Sequence, residues 1–377
     1  MRIRSAVLRA MGAPAPYAES RPLEIRELEL DPPGPDELLI QVRAAGLCHS
    51  DLSVINGSRP RVMPMALGHE AAGEVVALGD GVEDFEPGDH VVLAFVPACG
   101  RCGPCRDGRA ALCEPGAAAN AAGTLLSGGR RLRDAETGEE IHHHLGVSAF
   151  SDHVVVSSRS AVKIDHGVPW DVAALFGCAI LTGVGAAVRG AGVRAGDRVA
   201  VYGLGGIGLA AVLGAKVAGA AQIVAVDVVP DKLELAKALG ATDVALGGPD
   251  GDSVVAVHEA TGGGADHVIE TVGNAKVLAD AYAATRRGGT TVTVGLPHPE
   301  QQLQIPAVSL VAEERTLKGS YLGSCVPARD IPVFVDLHLR GLLAVDRLLT
   351  HRLSLDEINE GFDRLASGEA VRQAIVF

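Results

Sequence analysis

Aromatic residues are scarce in this chain of 377 residues: Phe, Trp and Tyr together make up 3% of it, with a single Trp. Proteins that bind single-stranded nucleic acid stack bases on aromatic side chains, so this class loses support. Basic charge is also in short supply, because 33 Lys and Arg face 46 Asp and Glu and leave a net charge of −13. A surface of that sign repels a phosphate backbone. We therefore expect no nucleic-acid partner.

Long apolar segments are missing as well. Two uncharged runs, Val172–Val188 and Val199–Ala215, are shorter than the roughly 20 residues of a typical transmembrane helix, and glycines interrupt both. The N-terminal sequence lacks the apolar core of a secretory signal. We expect a cytoplasmic protein without a membrane span. The 47% of hydrophobic residues supply a buried core instead.

The pattern of apolar runs changes along the chain and predicts an α/β protein with two domains. Up to about Asp165, short alternating runs separated by Gly, Pro and Asp indicate a β-barrel-like domain, with Glu114–Ile141 as a surface excursion. From about Thr182, continuous apolar runs alternate with helical segments, as in a parallel sheet covered on both faces. The segment Ala374–Phe377 is expected to return to the first domain as a strand. Strands of the parallel sheet are expected at Arg198–Tyr202, Gln222–Asp227, His267–Glu270 and Thr290–Gly295.

A glycine-rich turn follows the first of these strands and precedes a helical segment at Leu209–Ala218. A GxGxxG motif in this context indicates dinucleotide binding, because its glycines permit a tight turn and close approach of a pyrophosphate. Asp227 ends the next strand, where a carboxylate binds the ribose and repels a 2′-phosphate, which favours NAD over NADP. Lys232 is expected near the same ribose or a phosphate. The alternative is a turn without a ligand. The glycines of the motif are Gly203, Gly205, Gly206 and Gly208.

Four of the seven cysteines lie close together with glycines between them, in the pattern CxxCxxCx7C. Four thiolates at this spacing can converge on one ion and leave no open position, which indicates a structural zinc site. An iron–sulfur cluster also uses four cysteines, and four unliganded thiols are the remaining alternative. The four residues are Cys99, Cys102, Cys105 and Cys113.

Cys48, His69 and Cys178 offer two thiols and an imidazole. Three such ligands leave one tetrahedral position free, as in a catalytic zinc site, and Cys178 lies where the two predicted domains meet. Cys325 then remains as a packing thiol. The tract His142–His144 is interpreted as a structural turn, because neighbouring side chains in an extended segment point to opposite sides and do not share one ion.

The motifs GLCHSD, GHEAAGEV, IHHHLGVSAFSDH, FGCAILTG, GLGGIG and VRQAIVF, with the four-cysteine segment, resemble the medium-chain zinc-dependent alcohol dehydrogenases over essentially the whole chain. The long excursion and HHHLG are most similar to the branch of animal alcohol dehydrogenases and glutathione-dependent formaldehyde dehydrogenases. The resemblance implies a GroES-like β-barrel catalytic domain (residues 1–179 and 322–377) and a Rossmann domain with a doubly wound parallel sheet (residues 180–321). It further implies NAD, two zinc ions per chain and a homodimer, with a homotetramer as the alternative.

The resemblance also assigns roles to single residues. Glu70 is similar to an acidic neighbour that approaches the catalytic zinc during ligand exchange, and Asp51 to a carboxylate that orients the zinc-bound histidine. Ser50 resembles the hydroxyl that takes the alcohol proton. The histidine that ends the proton relay in several relatives is replaced here by Ser53.

Cofactor and substrate contacts are implied in the same way. Thr182 resembles a residue beside the nicotinamide, whereas His49 and Arg372 match positions near the pyrophosphate. Further cofactor contacts implied by the resemblance are Ile207, Val272, Val294 and Leu296. The substrate pocket is expected to include Phe95, Leu145, Leu296 and Tyr321, with Arg59 near its mouth or as a solvated loop residue.

The predicted reaction is NAD-dependent oxidation of a primary or secondary alcohol to an aldehyde or ketone, and its reverse, by hydride transfer from a zinc-bound alkoxide. A thiol-dependent formaldehyde dehydrogenase acting on an S-hydroxymethyl adduct is the alternative within the family. The position that is acidic in glutathione-dependent relatives is Arg59 here, which argues against glutathione adducts. A zinc-free reductase of the same superfamily and a nonenzymatic NAD-binding protein are two further hypotheses. A small-molecule alcohol or aldehyde is the expected partner.

Overall fold

The chain forms two units in a computed structural model that describes residues 1–248 and 252–377. The first unit comprises Met1–Cys178, Val326–Leu339 and Val345–Phe377, and the second comprises Ala179–Cys325 and Arg340–Ala344. The strands are β1 (Arg2–Leu8), β2 (Leu23–Leu30), β3 (Glu37–Gly46), β4 (Met65–Ala66), β5 (Ala71–Leu78), β6 (His90–Leu93), β7 (Leu132–Asp134), β8 (Glu140–His143), β9 (His153–Ser157), β10 (Ala161–Lys163), β11 (Arg198–Tyr202), β12 (Gln222–Asp227), β13 (Asp243–Leu246), β14 (Ala265–Glu270), β15 (Thr285–Thr293), β16 (Thr316–Gly319), β17 (Leu349–Leu353) and β18 (Arg372–Val376). The α-helices are α1 (Tyr17–Ser20), α2 (His49–Ile55), α3 (Gly103–Arg106), α4 (Glu114–Ala122), α5 (Trp170–Ala174), α6 (Ala179–Gly185), α7 (Gly206–Val217), α8 (Pro230–Leu239), α9 (Asp252–Thr261), α10 (Ala275–Ala283), α11 (Ala307–Ala312), α12 (Pro327–Leu339) and α13 (Ile358–Ser367).

Two sheets build the first unit. Five strands close into a barrel in the order β1-β2-β7-β8-β4, and a second sheet of seven strands runs β10-β6-β5-β3-β18-β17, with β9 also paired to β3. Buried aliphatic residues from the barrel strands, among them Val7, Leu28 and Ile141, form one core cluster. Their burial removes the alternating apolar face of each strand from water, which is the main stabilising contribution available to such a sheet.

The segment between Glu114 and Ile141 is more ordered than the sequence indicates. It holds α4, β7 and β8, and the two strands are members of the closed barrel, so the predicted surface excursion is wrong for this part. Each strand is only three or four residues long, too short for a clear alternation. The buried carboxylate of Glu37 holds the segment to β3 by accepting hydrogen bonds from Ser127 Oγ and Arg131 Nε, both 2.8 Å away.

The C-terminal strand returns to the first unit, as the sequence predicts. β18 pairs antiparallel with the end of β3 and parallel with β17. The preceding helix α13 buries Ile358, Phe362 and Leu365, which recur at helical spacing on one face. A capping box between Ser354 and Glu357 satisfies backbone amides just before this helix, and Gly368 ends it in the left-handed region with a φ of 75°.

The second unit is built on six parallel strands in the order β13-β12-β11-β14-β15-β16. Numbered within this sheet, the order is 3-2-1-4-5-6, which is that of a doubly wound dinucleotide-binding fold. Parallel neighbours require crossover connections, and helices α7 to α11 supply them. Ala200, Val224 and Val268 are almost fully buried, in agreement with the continuous apolar runs of these strands. The predicted α/β fold class is confirmed.

Two apolar helices on either side of Cys178, Trp170–Gly177 and Ala179–Ala191, meet the length and composition of a membrane span only when taken together as a bent pair. No single helix in the described part of the chain is long and apolar enough to cross a bilayer.

Candidate active site and metal centres

Four metal-ligating side chains converge in the first unit. The ligand atoms of Cys48, His69, Glu70 and Cys178 lie within 4.8 Å of one another, and all four residues are buried. They come from three separate stretches of sequence, so the fold and not local spacing brings them together. The structure thus joins the three predicted catalytic ligands and the predicted acidic neighbour in one cluster.

The pairing of β3 with β5 explains how two of these stretches meet. β3 ends just before Cys48 and β5 begins just after Glu70, and the strands run antiparallel with Ala45 opposite Ala71. The amide of Gly46 donates to the carbonyl of Glu70 at 2.7 Å. A Cβ at Gly46 would lie 2.7 Å from Glu70 Oε1, so a side chain there would displace the carboxylate from the cluster.

The third stretch is held at the cluster by packing against the same strands. Helix α5 packs against β3 and β5, and the short 3-10 turn Leu175–Gly177 that follows it packs against β5 and β6. Cys178 comes directly after this turn. Arg372, next to the cluster, is the first residue of β18. This strand is tied to the segment of Cys48, because the amide of Leu47 donates to Gln373 O at 3.0 Å.

The imidazole of His69 is oriented by a buried carboxylate. Its Nδ1 lies 3.1 Å from Asp51 Oδ1, which also accepts a hydrogen bond from the amide of Gly68 at 3.2 Å. Burial alone would raise the pKa of Asp51, but the charge of His69 and hydrogen bonds from His144 and His69 outweigh it and hold this pKa below its usual range. Nε2 is therefore the nitrogen left for a metal. It is buried and has no hydrogen-bond partner within the described residues.

The electrostatics of the cluster favour a cation. A hydrogen bond from Cys178 lowers the pKa of Cys48 well below its ordinary value, and the same bond raises the pKa of Cys178. Burial raises the pKa of Glu70 to about 7, although the charge of Arg372 pulls it down. The Glu70 carboxylate forms an ion pair with the Arg372 guanidinium, and both groups are buried. Acidic groups therefore surround His69, and the Arg372 guanidinium is paired with one of them.

Zinc fits this donor set. Two thiols and one imidazole are ligands that zinc prefers, and three protein ligands leave the fourth tetrahedral position for a small molecule. An imidazole whose other nitrogen is held by a carboxylate is the usual arrangement around zinc-bound histidines. Glu70 lies within reach of the same centre but is engaged by Arg372.

The second group of donors is the four-cysteine segment, whose Sγ atoms also lie within 4.8 Å of one another. Thiolates bound to zinc at about 2.3 Å in tetrahedral geometry lie roughly 3.8 Å apart. Cys102 Sγ and Cys113 Sγ are 4.0 Å apart. Backbone amides also point at the sulfurs: Cys99 N and Gly116 N lie 3.2 and 3.4 Å from Cys113 Sγ. A hydrogen bond from the Arg101 amide lowers the pKa of Cys99 to about 6, whereas burial raises the pKa of Cys105 to about 12 and also raises that of Cys113, so Cys99 is the thiol of these three that ionises most readily.

The glycine-rich turn of the second unit has the geometry expected of a dinucleotide site. Gly203 adopts a φ of +87°, and Gly205 caps α7, which begins at Gly206. A Cβ at Gly208 would collide with the carbonyl of Gly203, so helix and strand require a glycine there. The Asp227 carboxylate at the end of β12 accepts a hydrogen bond from the amide of Leu204 at 2.6 Å. The turn and the predicted ribose-binding acid are thus in direct contact.

A buried carboxylate beside this turn was not predicted from the sequence. Glu270, at the end of β14, accepts hydrogen bonds from the amides of Val272 and Gly273 and from Thr293 Oγ1, at 2.6 to 2.7 Å. Val272 lies against Gly203, because a Cβ on that glycine would come within 2.6 Å of its side chain. Glu270 therefore fixes the loop that borders the glycine-rich turn. The sequence offers no local motif that identifies a residue acting in this way.

Comparisons with known proteins identify a protein family for each of the two units. Residues 34–166 match the alcohol dehydrogenase GroES-like domain family, and residues 206–339 match the zinc-binding dehydrogenase family. The NDMA-dependent alcohol dehydrogenase of Amycolatopsis methanolica is 40% identical over 100% of this chain and 99% of its own length. The class-3 alcohol dehydrogenase of Drosophila melanogaster is 38% identical over 96% of each chain. The chain belongs to the medium-chain zinc-dependent alcohol dehydrogenase family. Among solved structures, benzyl alcohol dehydrogenase from Acinetobacter calcoaceticus has a TM-score of 0.92 at 32% identity, covering 100% of this chain and 99% of the other.

Further predicted residues of this alcohol dehydrogenase lie around the cluster in the first unit. His49 and Ser50 form the first turn of α2, directly after Cys48. The Phe95 ring meets the His69 ring edge to face, with centroids 5.2 Å apart. Ser53, at the predicted relay position, donates its hydroxyl to the carbonyl of His49 at 2.8 Å. Arg59 is half-buried, and its amide bonds to the carbonyl of Ser53.

The predicted cofactor and pocket residues of the second unit differ in exposure. Thr182 and Val294 are buried, and Ile207 and Lys232 are half-buried. The residues with exposed side chains are Val272, Leu296 and Tyr321. Their cofactor and substrate contacts stay predictions. For Arg372, the structure shows the ion pair with Glu70, and its predicted contact with a pyrophosphate stays a prediction too.

The contacts of the tract His142–His144 differ from those expected from the sequence. His142 Nδ1 accepts from Arg130 Nε at 2.9 Å, and His143 Nε2 accepts from the amide of Arg131 at 3.1 Å. His142 and His143 belong to strand β8, so the predicted structural turn is wrong for these two residues and begins only at His144. His144 instead approaches Asp51, with Nδ1 3.1 Å from Oδ1. Asp51 therefore lies between two histidines, a contact that spacing along the chain does not reveal.

Replacing Cys102 by Ser is expected to remove the zinc of the four-cysteine group and to loosen this segment. Zinc content should fall from about two ions to about one per chain, because the group then offers three thiolates. Structural zinc binds with roughly 10–16 kcal/mol in small peptides, so we also expect a clearly lower thermal midpoint. Elemental analysis and thermal unfolding measure both effects. Cys325→Ser is the matched control, since Cys325 is buried outside both groups and its replacement should leave two zinc ions. Unchanged zinc content in Cys102→Ser would refute the assignment.

Proposed function

We propose that this protein oxidises primary and secondary alcohols to aldehydes and ketones with NAD, and catalyses the reverse reaction. The observation that carries the proposal is the buried group of Cys48, His69 and Cys178 with Asp51 behind the imidazole. Zinc held by these three residues would act as a Lewis acid that makes an alcohol hydroxyl more acidic, and NAD would accept the hydride. Proton transfer and substrate binding are assigned to side chains of this protein.

Ser50 is proposed to receive the alcohol proton. It lies two residues after Cys48 on the first turn of α2 and is half-buried, so its hydroxyl combines proximity to the metal ligands with some access to solvent. A hydroxyl both accepts and donates a proton, which suits a relay. Ser53 lies one turn further along α2, and its hydroxyl is bonded to His49 O, so we do not assign it the next step.

An apolar wall beside the metal ligands supports hydrocarbon substrates. Phe95 is 7% exposed and contacts His69, and Leu145 is equally buried one residue beyond His144. Such side chains favour the carbon chain or ring of an alcohol and keep water away from the reacting carbon. The solved relative named as a benzyl alcohol dehydrogenase gives independent support for an aromatic alcohol. We keep Arg59, Leu296 and Tyr321 as proposed lining residues.

The second unit is proposed to bind NAD, and the first to carry the reaction. Amides at the start of α7 would face the pyrophosphate, and Asp227 would bind the ribose. Glu70 and Arg372 would adjust the charge around the metal ligands, because their ion pair lies within the cluster. We retain Thr182 beside the nicotinamide, His49 and Arg372 near the pyrophosphate, and Ile207, Lys232, Val272, Val294 and Leu296 as further cofactor contacts. A cytoplasmic homodimer, or homotetramer, is proposed as the working form.

Two relatives name conditions that the assay must include. One is called NDMA-dependent, so alcohol oxidation is measured with NAD alone and with NAD plus NDMA. The other is a class-3 enzyme, so formaldehyde is offered with and without an added thiol. We expect turnover of benzyl alcohol and hexanol and little turnover of a hydroxy acid. Activity with formaldehyde only when a thiol is present, and none with free alcohols, would replace the proposal by the thiol-dependent alternative.

Replacing Cys48 by Ala tests the proposed metal site directly. We expect loss of one zinc per chain and at least a 1,000-fold lower kcat, roughly 4 kcal/mol of transition-state stabilisation, because the Lewis acid goes with its ligand. NAD binding should stay close to wild type, since no residue of the glycine-rich turn changes. Cys325→Ala serves as the matched control and should keep two zinc ions and near-normal turnover. Near-normal turnover in Cys48→Ala would contradict the proposal.

The choice of NAD over NADP is tested with Asp227→Asn. The amide keeps the size of the side chain and an oxygen for the Leu204 amide, but it removes the negative charge that repels a 2′-phosphate. We expect the ratio of kcat/KM for NADP to that for NAD to rise at least 10-fold. Glu234→Gln is the control, because it removes an exposed carboxylate from α8 that pairs with Lys237. Equal ratios in Asp227→Asn and wild type would show that Asp227 does not select the cofactor.

A further inference from the structure

We propose that His144 is a positioning residue for the catalytic zinc, acting through Asp51. It holds the carboxylate in the orientation in which that carboxylate fixes the ring of His69. The inference rests on the proposed function, since it concerns the same metal ligands. It goes beyond it by giving a role to a histidine that does not itself belong to the donor set of Cys48, His69 and Cys178.

One carboxylate oxygen of Asp51 is hydrogen-bonded to His69 and Gly68 and is also approached by the ring of His144 at ion-pair distance. Asp51 Oδ1 lies 3.1 Å from His144 Nδ1, 3.1 Å from His69 Nδ1 and 3.2 Å from the amide of Gly68. The two imidazole rings stand nearly perpendicular, at 86°, with centroids 5.5 Å apart. Asp51 is fully buried and each histidine is 1% exposed. The arrangement therefore excludes water as a competing donor.

Burial makes each of these contacts matter. A carboxylate removed from water is stable only when hydrogen bonds replace those it has lost. His69 and Gly68 hold Asp51 from the segment that carries the metal ligand, whereas His144 approaches it from a different segment. Without His144, Asp51 would be held only by His69 and Gly68, and its orientation would be less restricted. The Nδ1 contact that orients His69 would then be weaker, and zinc affinity would fall.

The backbone that carries His144 is built to present it. Its amide donates to Ser148 Oγ at 2.9 Å, and its carbonyl accepts from the amide of Val147 at 3.0 Å. Leu145 and Ser148 occupy the left-handed region, with φ of 53° and 55°, which non-glycine residues rarely adopt without a compensating reason. Directly after this turn, the amide of Ala149 donates to the carbonyl of Gly68, which ties it to the segment of His69.

His143 supplies a matched comparison within the same tract. It is also 1% exposed, but its Nε2 accepts from the amide of Arg131, which directly precedes the barrel strand β7. Two adjacent histidines of equal burial thus contact different parts of the first unit. A role in packing alone predicts similar effects of replacing either one. A positioning role predicts that only His144 changes zinc affinity.

The test compares zinc retention in four His variants. Full-length protein is titrated with a chelator of zinc, and the zinc that Cys48→Ala lacks defines the catalytic ion. His144→Leu should bind this ion about 10-fold more weakly, the lower end of the roughly 10–100-fold seen for groups that support metal ligands. His144→Asn places an amide near the position of Nδ1 and should recover most of the affinity. His144→Gln places the amide at the position of Nε2 and should not. His143→Leu is the control and should match wild type.

The outcomes separate this inference from the proposed function. Wild-type zinc affinity in all His144 variants would overturn it, and so would equal losses in His143→Leu and His144→Leu. Recovery by Gln as complete as that by Asn would also overturn it, because the donor position would then be irrelevant. A third zinc in wild type that disappears in His144→Leu would make Asp51, His69 and His144 a metal site instead. Two zinc ions retained by Cys48→Ala would refute the proposed catalytic site itself, independently of His144.

Discussion

The concentration of acidic groups around one buried imidazole is the constraint on which the site depends. Cys48, Cys178, Asp51 and Glu70 carry four negative charges when ionised, and Arg372 is the guanidinium paired among them. Buried charges are costly unless they are paired. With His69 neutral, as a metal ligand must be, a divalent cation reduces the imbalance from three charges to one, and its thiolate and imidazole ligands are those of zinc. The same local negative charge explains why the Arg372 side chain is stable although it is buried.

The fold meets this constraint by bringing the ends of paired strands together. β3 delivers Cys48, β5 starts beside His69 and Glu70, and β18 adds Arg372 along the edge of β3. Because these strands are hydrogen-bonded to each other, their relative positions are fixed by the sheet before any metal binds. Rigid ligands are what a catalytic site with three protein ligands requires, since a flexible fourth protein group would occupy the position meant for a small molecule. The ion pair with Arg372 keeps Glu70 engaged at the border of the donor set.

Local motifs carried most of what could be predicted from the sequence. The four cysteines and the glycine-rich turn are close along the chain, so spacing alone limits their geometry. The catalytic group is dispersed over Cys48, His69 and Cys178, and it was identified by its residue types and by family resemblance. Contacts formed only by the folded chain were missed, namely His144 on Asp51, Glu270 on the loop beside Gly203, and the two short strands that close the barrel. No periodicity marks such residues, because their partners come from other segments.

Anomalous diffraction at the zinc absorption edge from crystals of the zinc-loaded protein locates the metal ions themselves. We expect two strong peaks per chain. One should lie within about 2.0–2.3 Å of His69 Nε2 and the sulfurs of Cys48 and Cys178, with a non-protein ligand in the fourth position, and the other among the four clustered cysteines. A map with a peak among the four cysteines and none beside His69 would contradict this expectation.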